Sequence, residues 1–261
     1  MRLKDLFFRR EDGRTTAVQV VFNVALALAL LGVVMWYCVA RTGAPLNFAV
    51  LWQFRYRIWL GFATTVGLSA ASLVVSLLLG FLTAVGSRSR LLVASFLCKM
   101  YVQFIRGTPL ITQIFLFFYI VGTALGVESR FWAGVIILSV FEGAYISEII
   151  RGGLQSVDQT QLEAAAAVGL TRGQTMRLVV LPQLFTRILP ALAGQSASII
   201  KDSSLLSMIA VIEMTQTFRE ISSTTFALFV CYIFLGLLYL CLTMPLSLLT
   251  QCLEKRYRYE T

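Results

Sequence analysis

Four runs without a single charged residue constrain this chain more than any other feature: Thr15 to Ala40, Ile58 to Ser87, Gly107 to Val127 and Ile221 to Leu253. A helix crosses the hydrocarbon core of a bilayer with about 20 apolar residues, and each run is long enough. Two further apolar stretches carry charges. Phe131 to Ile150 contains Glu142 and Glu148, and Pro190 to Ile212 contains the adjacent Lys201 and Asp202. A central charge costs about 3 kcal/mol on insertion scales, which a bundle tolerates when the charge faces its interior. The chain is therefore expected to be an all-α integral membrane protein of six transmembrane helices. Hydrophobic residues make up 58% of its 261 residues, well above a soluble domain, and mean hydropathy is +0.80.

The distribution of charge sets the expected orientation. Met1 to Arg14, Arg88 to Arg106, Arg151 to Arg187 and the tail after Glu254 hold most of the Lys and Arg, whereas the other connections contain only Arg41, Arg55, Arg57, Arg130 and Arg219. By the positive-inside tendency both termini and the two large basic loops are cytoplasmic, and the net charge of +9 reflects those loops rather than nucleic-acid binding. The first apolar run has the basic start of a signal peptide. It is too long and lacks a following cleavage site, so an uncleaved helix is expected.

Several chemistries are disfavoured by what the sequence holds. Histidine is absent, which removes the commonest general base, metal ligand and membrane proton relay. The five cysteines, Cys38, Cys98, Cys231, Cys241 and Cys252, sit in or beside apolar stretches without CxxC spacing and are expected to pack rather than to ligate or cross-link. No GxxxxGK[ST] phosphate loop occurs, and no HExxH. A membrane-embedded enzyme therefore has little support. The second span carries small residues at four-residue spacing, Ala63, Gly67 and Ala71, then Ser76, Gly80 and Ala84, a face suited to close helix contact.

The segment from Arg151 to Pro190 is too long for a passive connection in a compact bundle. Ser156 and Gln159 have capping-box spacing, the run Ala164 to Ala167 favours helix, and Gly169 suits a left-handed stop. Thr171 and Gln174 repeat the capping spacing, and Pro182 is expected to end the next stretch. The prediction is a short helix, a glycine turn and a second short helix forming a rigid lever. An Ala-x-x-x-Gly spacing between two helices also occurs in DNA-binding helix-turn-helix units, but tethering between two spans would place the reading helix awkwardly for duplex DNA.

Glu163, Ala164, Ala165, Gly169, Val179, Leu181 and Pro182 resemble the EAA signature of ABC-importer permeases, with Val179 where that signature usually has Ile. FEGAYISEIIRGG (Phe141 to Gly153), IRGTPL (Ile105 to Leu110) and IIKDSSLLSMI (Ile199 to Ile209) look like the permeases for polar amino acids, of transmembrane type 1. Thr160 and Gln161 stand where a Gly-Gln pair is usual. The resemblance spans roughly Phe54 to Leu253. It implies a permease domain over 54–253 with its coupling loop at 151–190, an additional helix at 15–40, and cytoplasmic tails at 1–14 and 254–261.

The resemblance further implies a multi-pass protein of the bacterial inner membrane, working with a cytoplasmic ABC ATPase dimer, a second permease subunit and an extracytoplasmic solute-binding protein. ATP and Mg belong to the ATPase partner, so no cofactor or metal is expected in this chain. Glu163, Ala164, Ala165, Gly169, Leu181 and Pro182 are then the ATPase-coupling residues. Lys201 and Asp202 are substrate-pathway candidates, since the pair matches the α-carboxylate and α-ammonium of an amino acid; as a mutually neutralising pair they would only stiffen a helix. Glu142, Tyr145, Gln113 and Gln195 are weaker candidates, because such side chains serve bundle hydrogen bonds equally well. Arg106 is expected at the cytoplasmic surface with a topological role. The competing reading is a secondary transporter or channel for small polar solutes, which would need no docking loop.

Overall fold

The structure, a computed structural model, describes residues 16–43 and 46–257. The expected tail at 1–14 and the last four residues of the tail at 254–261 lie outside the described residues. No strand occurs among the described residues.

The chain divides into two units, Met1–Phe48 and Ala49–Thr261. The described part of the first is essentially one helix, α1 (Ala17–Thr42). Thr16 opens it with a reciprocal capping box to Gln19, and Gly43 closes it at φ 63, a left-handed stop that suits a residue without a β-carbon. Its apolar side chains are exposed almost all round.

The second unit is a helical bundle. A short α2 (Ala49–Gln53) leads into α3 (Arg55–Gly86). Two arms follow, α4 (Leu92–Gly107) and α5 (Leu110–Phe115), the latter continued to Gly122 as a π-helix. Next come α6 (Arg130–Gln155), α7 (Gln159–Ala167) and α8 (Arg172–Thr175). A π-turn at Met176–Val180 joins α8 to α9 (Leu181–Asp202), and a 3-10 turn extends α9 to Ile209. The chain ends in α10 (Met214–Thr225) and α11 (Leu228–Tyr257). Among the described residues five helical segments are long and apolar enough to cross a membrane, or six if the bent pair α4–α5 is one span.

That pair corrects the expected boundaries. Leu92 to Gly107, read from its charges as part of a loop, is a helix, bent 115° against the one that follows. The break follows from Pro109. It has no N–H to continue α4, and it forces Thr108 into extended backbone (φ −126, ψ 147). Gln113 then fastens the bend by donating to the carbonyls of Ile105 (2.7 Å) and Thr108 (3.1 Å), groups the interrupted helix leaves open.

Two other boundaries also differ. The uncharged run from Ile221 to Leu253 is not one helix: Ile221 to Thr225 end α10, and α11 begins at Leu228. The span expected from Pro190 to Ile212 starts at least nine residues earlier, with Pro190 inside α9. Pro182 likewise does not stop a helix but sits in the first turn of α9, where a missing N–H is tolerated. The wider π-turn just before it and a bond from Gln183 Nε2 to the Val179 carbonyl (3.0 Å) absorb the disruption.

The bundle is built around α3 packed along α6. Small and hydroxyl residues let the backbones approach, and Ser139 Oγ donates to the carbonyls of Val135 (2.6 Å) and Ser72 (3.2 Å). Of the small-residue stripe, Ser76, Gly80 and Ala84 face this contact. A β-carbon on Gly80 would stand 2.5 Å from Ile146 Cγ2, whereas one on Gly67 would meet nothing within 4 Å. The largest apolar cluster gathers Leu68, Ile114, Leu138, Ile199 and Leu206 from α3, α5, α6, α9 and the 3-10 turn.

Candidate functional site

Between α6 and α9 the chain forms the expected short helix and glycine turn of the lever, but the second short helix is not separate, since α8 runs on through the π-turn into α9. The first cap of the lever is not Ser156, whose hydroxyl donates to the Gly153 carbonyl (2.8 Å) at the end of α6. Asp158 takes the role, accepting the Thr160 N–H at 3.0 Å, and that backbone bond holds its carboxyl below the ordinary carboxylate range. The helix closes in a Schellman motif. Leu170 N–H donates to the Ala165 carbonyl and Gly169 N–H to the Ala166 carbonyl, both at 3.0 Å, with Gly169 at φ 78. Thr171 and Gln174 then cap α8 reciprocally. Every turn of the lever is thus held by local hydrogen bonds.

The lever is anchored from beneath. Leu181, Leu184 and Ile188 of α9 join Ile146, Ile150 and Leu154 of α6 in one apolar cluster. The Arg187 guanidinium donates to the Ser156 carbonyl, and Gln183 to Gln161. Glu163 and Ala164 are exposed on α7, and Pro182 is exposed at the start of α9. Ala165 is 5% exposed and faces the chain's own interior, so the expected docking surface of two alanines is reduced to Ala164. Leu181 also turns inward, toward the cluster. The sequence reading missed Val168, a β-branched side chain 76% exposed at the tip of the lever. The signal was present, since an apolar residue beside a glycine stop has no helical face to bury it.

A second polar centre lies within the bundle, where α6 meets α9. Glu142 is fully buried, and Gln195 donates to its Oε2. Its Oε1 has no donor, and the Asp202 carboxyl faces it. Two carboxyls brought together in a low dielectric repel unless a cation or a proton stands with them. The structure therefore brings Glu142, Gln195 and Asp202 together. Lys201 is exposed, acts on Asp202 at longer range, and forms no ion pair with it among the described residues. Gln113 belongs to the bend described above, although its amide oxygen is buried without a partner.

Tyr145 marks a third arrangement. The Arg106 guanidinium lies 5.7 Å from the Tyr145 ring centre and bonds Glu148 at 2.6 Å. Arg151 bonds the same carboxylate at 2.6 and 2.8 Å. Arg106 thus ties the end of α4 to α6 rather than acting as a topological charge alone. Glu213, unremarked in the sequence, is fully buried as the cap of α10. It accepts from Thr215 N–H (2.8 Å), Gln216 N–H (2.7 Å) and the Tyr239 hydroxyl (2.9 Å). Those three donors satisfy it, which marks a structural group.

With this geometry in hand, comparison with known proteins is direct. Residues 76–259 match the family described as binding-protein-dependent transport system inner membrane component. The chain is 35% identical to the probable glutamine ABC transporter permease protein GlnM of Bacillus subtilis, over 75% of this chain and 91% of that protein. It is 35% identical to the glutamine transport system permease protein GlnP of Escherichia coli, over 61% of this chain and 74% of that protein. Among solved structures it resembles a chain of an amino acid ABC transporter with histidines, with 31% identity and a TM-score of 0.76, covering 82% of this chain and all of the other. The inward-facing MetNI methionine ABC transporter shares the fold at 17% identity and a TM-score of 0.58, over 79% of this chain and 99% of that one.

Proposed function

Because this chain belongs to the family of binding-protein-dependent transport system inner membrane components, we propose that it forms the path for a polar amino acid and takes its energy from a separate ATPase through the α7 lever. It is a multi-pass inner-membrane permease subunit of an ABC importer. The observation that carries the coupling reading is the lever itself. A fully capped helix presents Glu163, Ala164 and Val168 outward while Leu181 and Ile188 bind its base to the spans. A push at Val168 is then transmitted as a rigid movement of α6 and α9, since both ends of α7 are capped and its base is packed in their apolar cluster.

The basic lever loop and both termini lie on the cytoplasmic side in this reading, where the ATPase dimer with its ATP and Mg is reached. Glu163 makes the charged contact, Val168 the apolar anchor, and Gly169 sets the angle of the lever. The relatives named for glutamine support amino-acid cargo. The acidic centre supports it chemically, because Glu142 and Asp202 suit the α-ammonium of a zwitterion and Lys201 its carboxylate. A second permease subunit completes the path, and a solute-binding protein delivers the cargo.

The test is affinity purification of the tagged chain from its native membrane, with co-purifying subunits identified, for wild type and Val168→Asp. An ABC ATPase retained by the wild type and lost from the variant supports the reading. A well-folded wild type without any ATPase, and with uptake indifferent to ATP, overturns it in favour of a secondary transporter.

A further inference from the structure

A groove of about 540 Å³ runs between the start of α3 and the first half of α11, wholly within the second unit. Its walls are almost entirely apolar. Trp52, Trp59 and Phe62 line it from α2 and α3, and Phe234 and Cys241 from α11. Along α11 the lining runs from Phe234 to Cys241, about 10 Å at about 1.5 Å per residue, facing Arg55 to Phe62 of α3. A slot of that length, opening at the start of α3, takes the upper part of an acyl chain entering from the membrane interface.

Only Arg55 breaks the apolar lining. Its guanidinium lies 4.9 Å from the Trp52 ring centre and donates one bond, to the Trp52 carbonyl at 3.1 Å. The nearby Arg57 pairs with Glu220, but Arg55 has no carboxylate partner among the described residues. Trp52, Tyr56 and Trp59 are all exposed here, which is how aromatic side chains mark the headgroup level. A cation without a carboxylate partner, held over an indole at that level and opening onto an apolar slot, matches one chemical class. We propose that the groove is a glycerophospholipid site, with the phosphate on Arg55 and one acyl chain lying between Phe62 and Phe234 toward Cys241.

Charge complementarity favours a lipid over a second protein surface, which would have to bring its own acidic group to the same spot. Arginine is suited to the task, since its remaining N–H donors can take a phosphate in bidentate fashion while its guanidinium rests over the indole. The site is independent of the cargo and of the ATPase.

The experiment is native mass spectrometry of the full chain released from detergent, titrated with dioleoyl phosphatidylglycerol. The wild type is expected to retain one lipid more tightly than the rest. Arg55→Ala should lose roughly five- to tenfold in that affinity, the range for one phosphate-facing cation. Cys241→Trp, which fills the slot and leaves the cation in place, should weaken the same lipid, whereas Arg130→Ala at another helix start should not. Unchanged binding in Arg55→Ala overturns the proposal, as does equal weakening in Arg130→Ala, which would mean diffuse surface charge. Competition by inorganic phosphate with Cys241→Trp unaffected would reduce the site to an anion contact and overturn the acyl slot. A wild type that retains no lipid overturns the whole, leaving the groove to the first helix or a second chain.

Discussion

Gly153 and Ile188 approach so closely that a β-carbon on the glycine would stand 2.5 Å from Ile188 Cγ2 and 2.8 Å from Leu184 Cδ1. This contact joins the two flanks of the lever just where α6 hands over to it. Gly153→Val should therefore wedge α6 from α9 and destabilise the chain by about 1–3 kcal/mol, the usual range for overpacking. Thermal unfolding in detergent measures it. Combining it with Ile188→Ala should recover part of the loss; simple additivity of the two would show that the residues do not press on one another.

Gly169 has the opposite character. Nothing lies within 4 Å of its absent β-carbon, so only its φ of 78 resists substitution. Gly169→Ala should cost about 1 kcal/mol and Gly169→Asn less, because asparagine tolerates the left-handed region. Equal melting temperatures for the two variants would contradict a purely conformational role.

Asp158 predicts a pH dependence. Its carboxyl is held below the ordinary value by the Thr160 N–H, so its contribution is complete above its unfolded value, about 3.9, and is lost as pH falls through the depressed folded value. The protection of the Gln159 to Ala167 amides, taken relative to their intrinsic exchange rate at each pH, should fall below about pH 4 in the wild type. Asp158→Ala should show faster exchange already at neutral pH and no further acid step from this cap.

Glu142 and Gln195 connect α6 to α9 inside the bundle. Gln195→Leu removes the one donor to Glu142 and should lower stability by about 1–3 kcal/mol, the cost of leaving a buried polar group unpaired. If the acidic centre meets the cargo, Glu142→Gln should reduce uptake into proteoliposomes at least tenfold while stability changes by less than about 1 kcal/mol, since the amide still fills the space and hydrogen-bonds. Stability and uptake falling in proportion would mean a structural group only.

Much of this was legible in the sequence for a simple reason: solvent selects on composition over lengths of about 20 residues, and uncharged runs of that length mark where the chain meets the bilayer. The lever was legible too, at Thr171, Gln174 and Gly169, because capping and left-handed stops are set by neighbours in the chain. Where the determining partners are distant in sequence, the reading changed. Ser156 and Asp158 compete for one cap, and the winner depends on where α6 ends. Pro109 and Pro182 are each breakers on paper. One bends a span because Gln113 can satisfy the carbonyls it frees, and the other is absorbed by a π-turn against the Leu184 and Ile188 cluster. The pairing of Glu142 with Gln195, 53 residues apart, and the inward turn of Ala165 follow from packing between helices, which periodicity within one helix does not encode. Sequence alone determined the solvent, the presence of the apolar spans and the caps at Thr171 and Gly169; tertiary structure decided where the spans begin and end and which polar groups meet, because those contacts depend on helix crossings made only after the spans assemble.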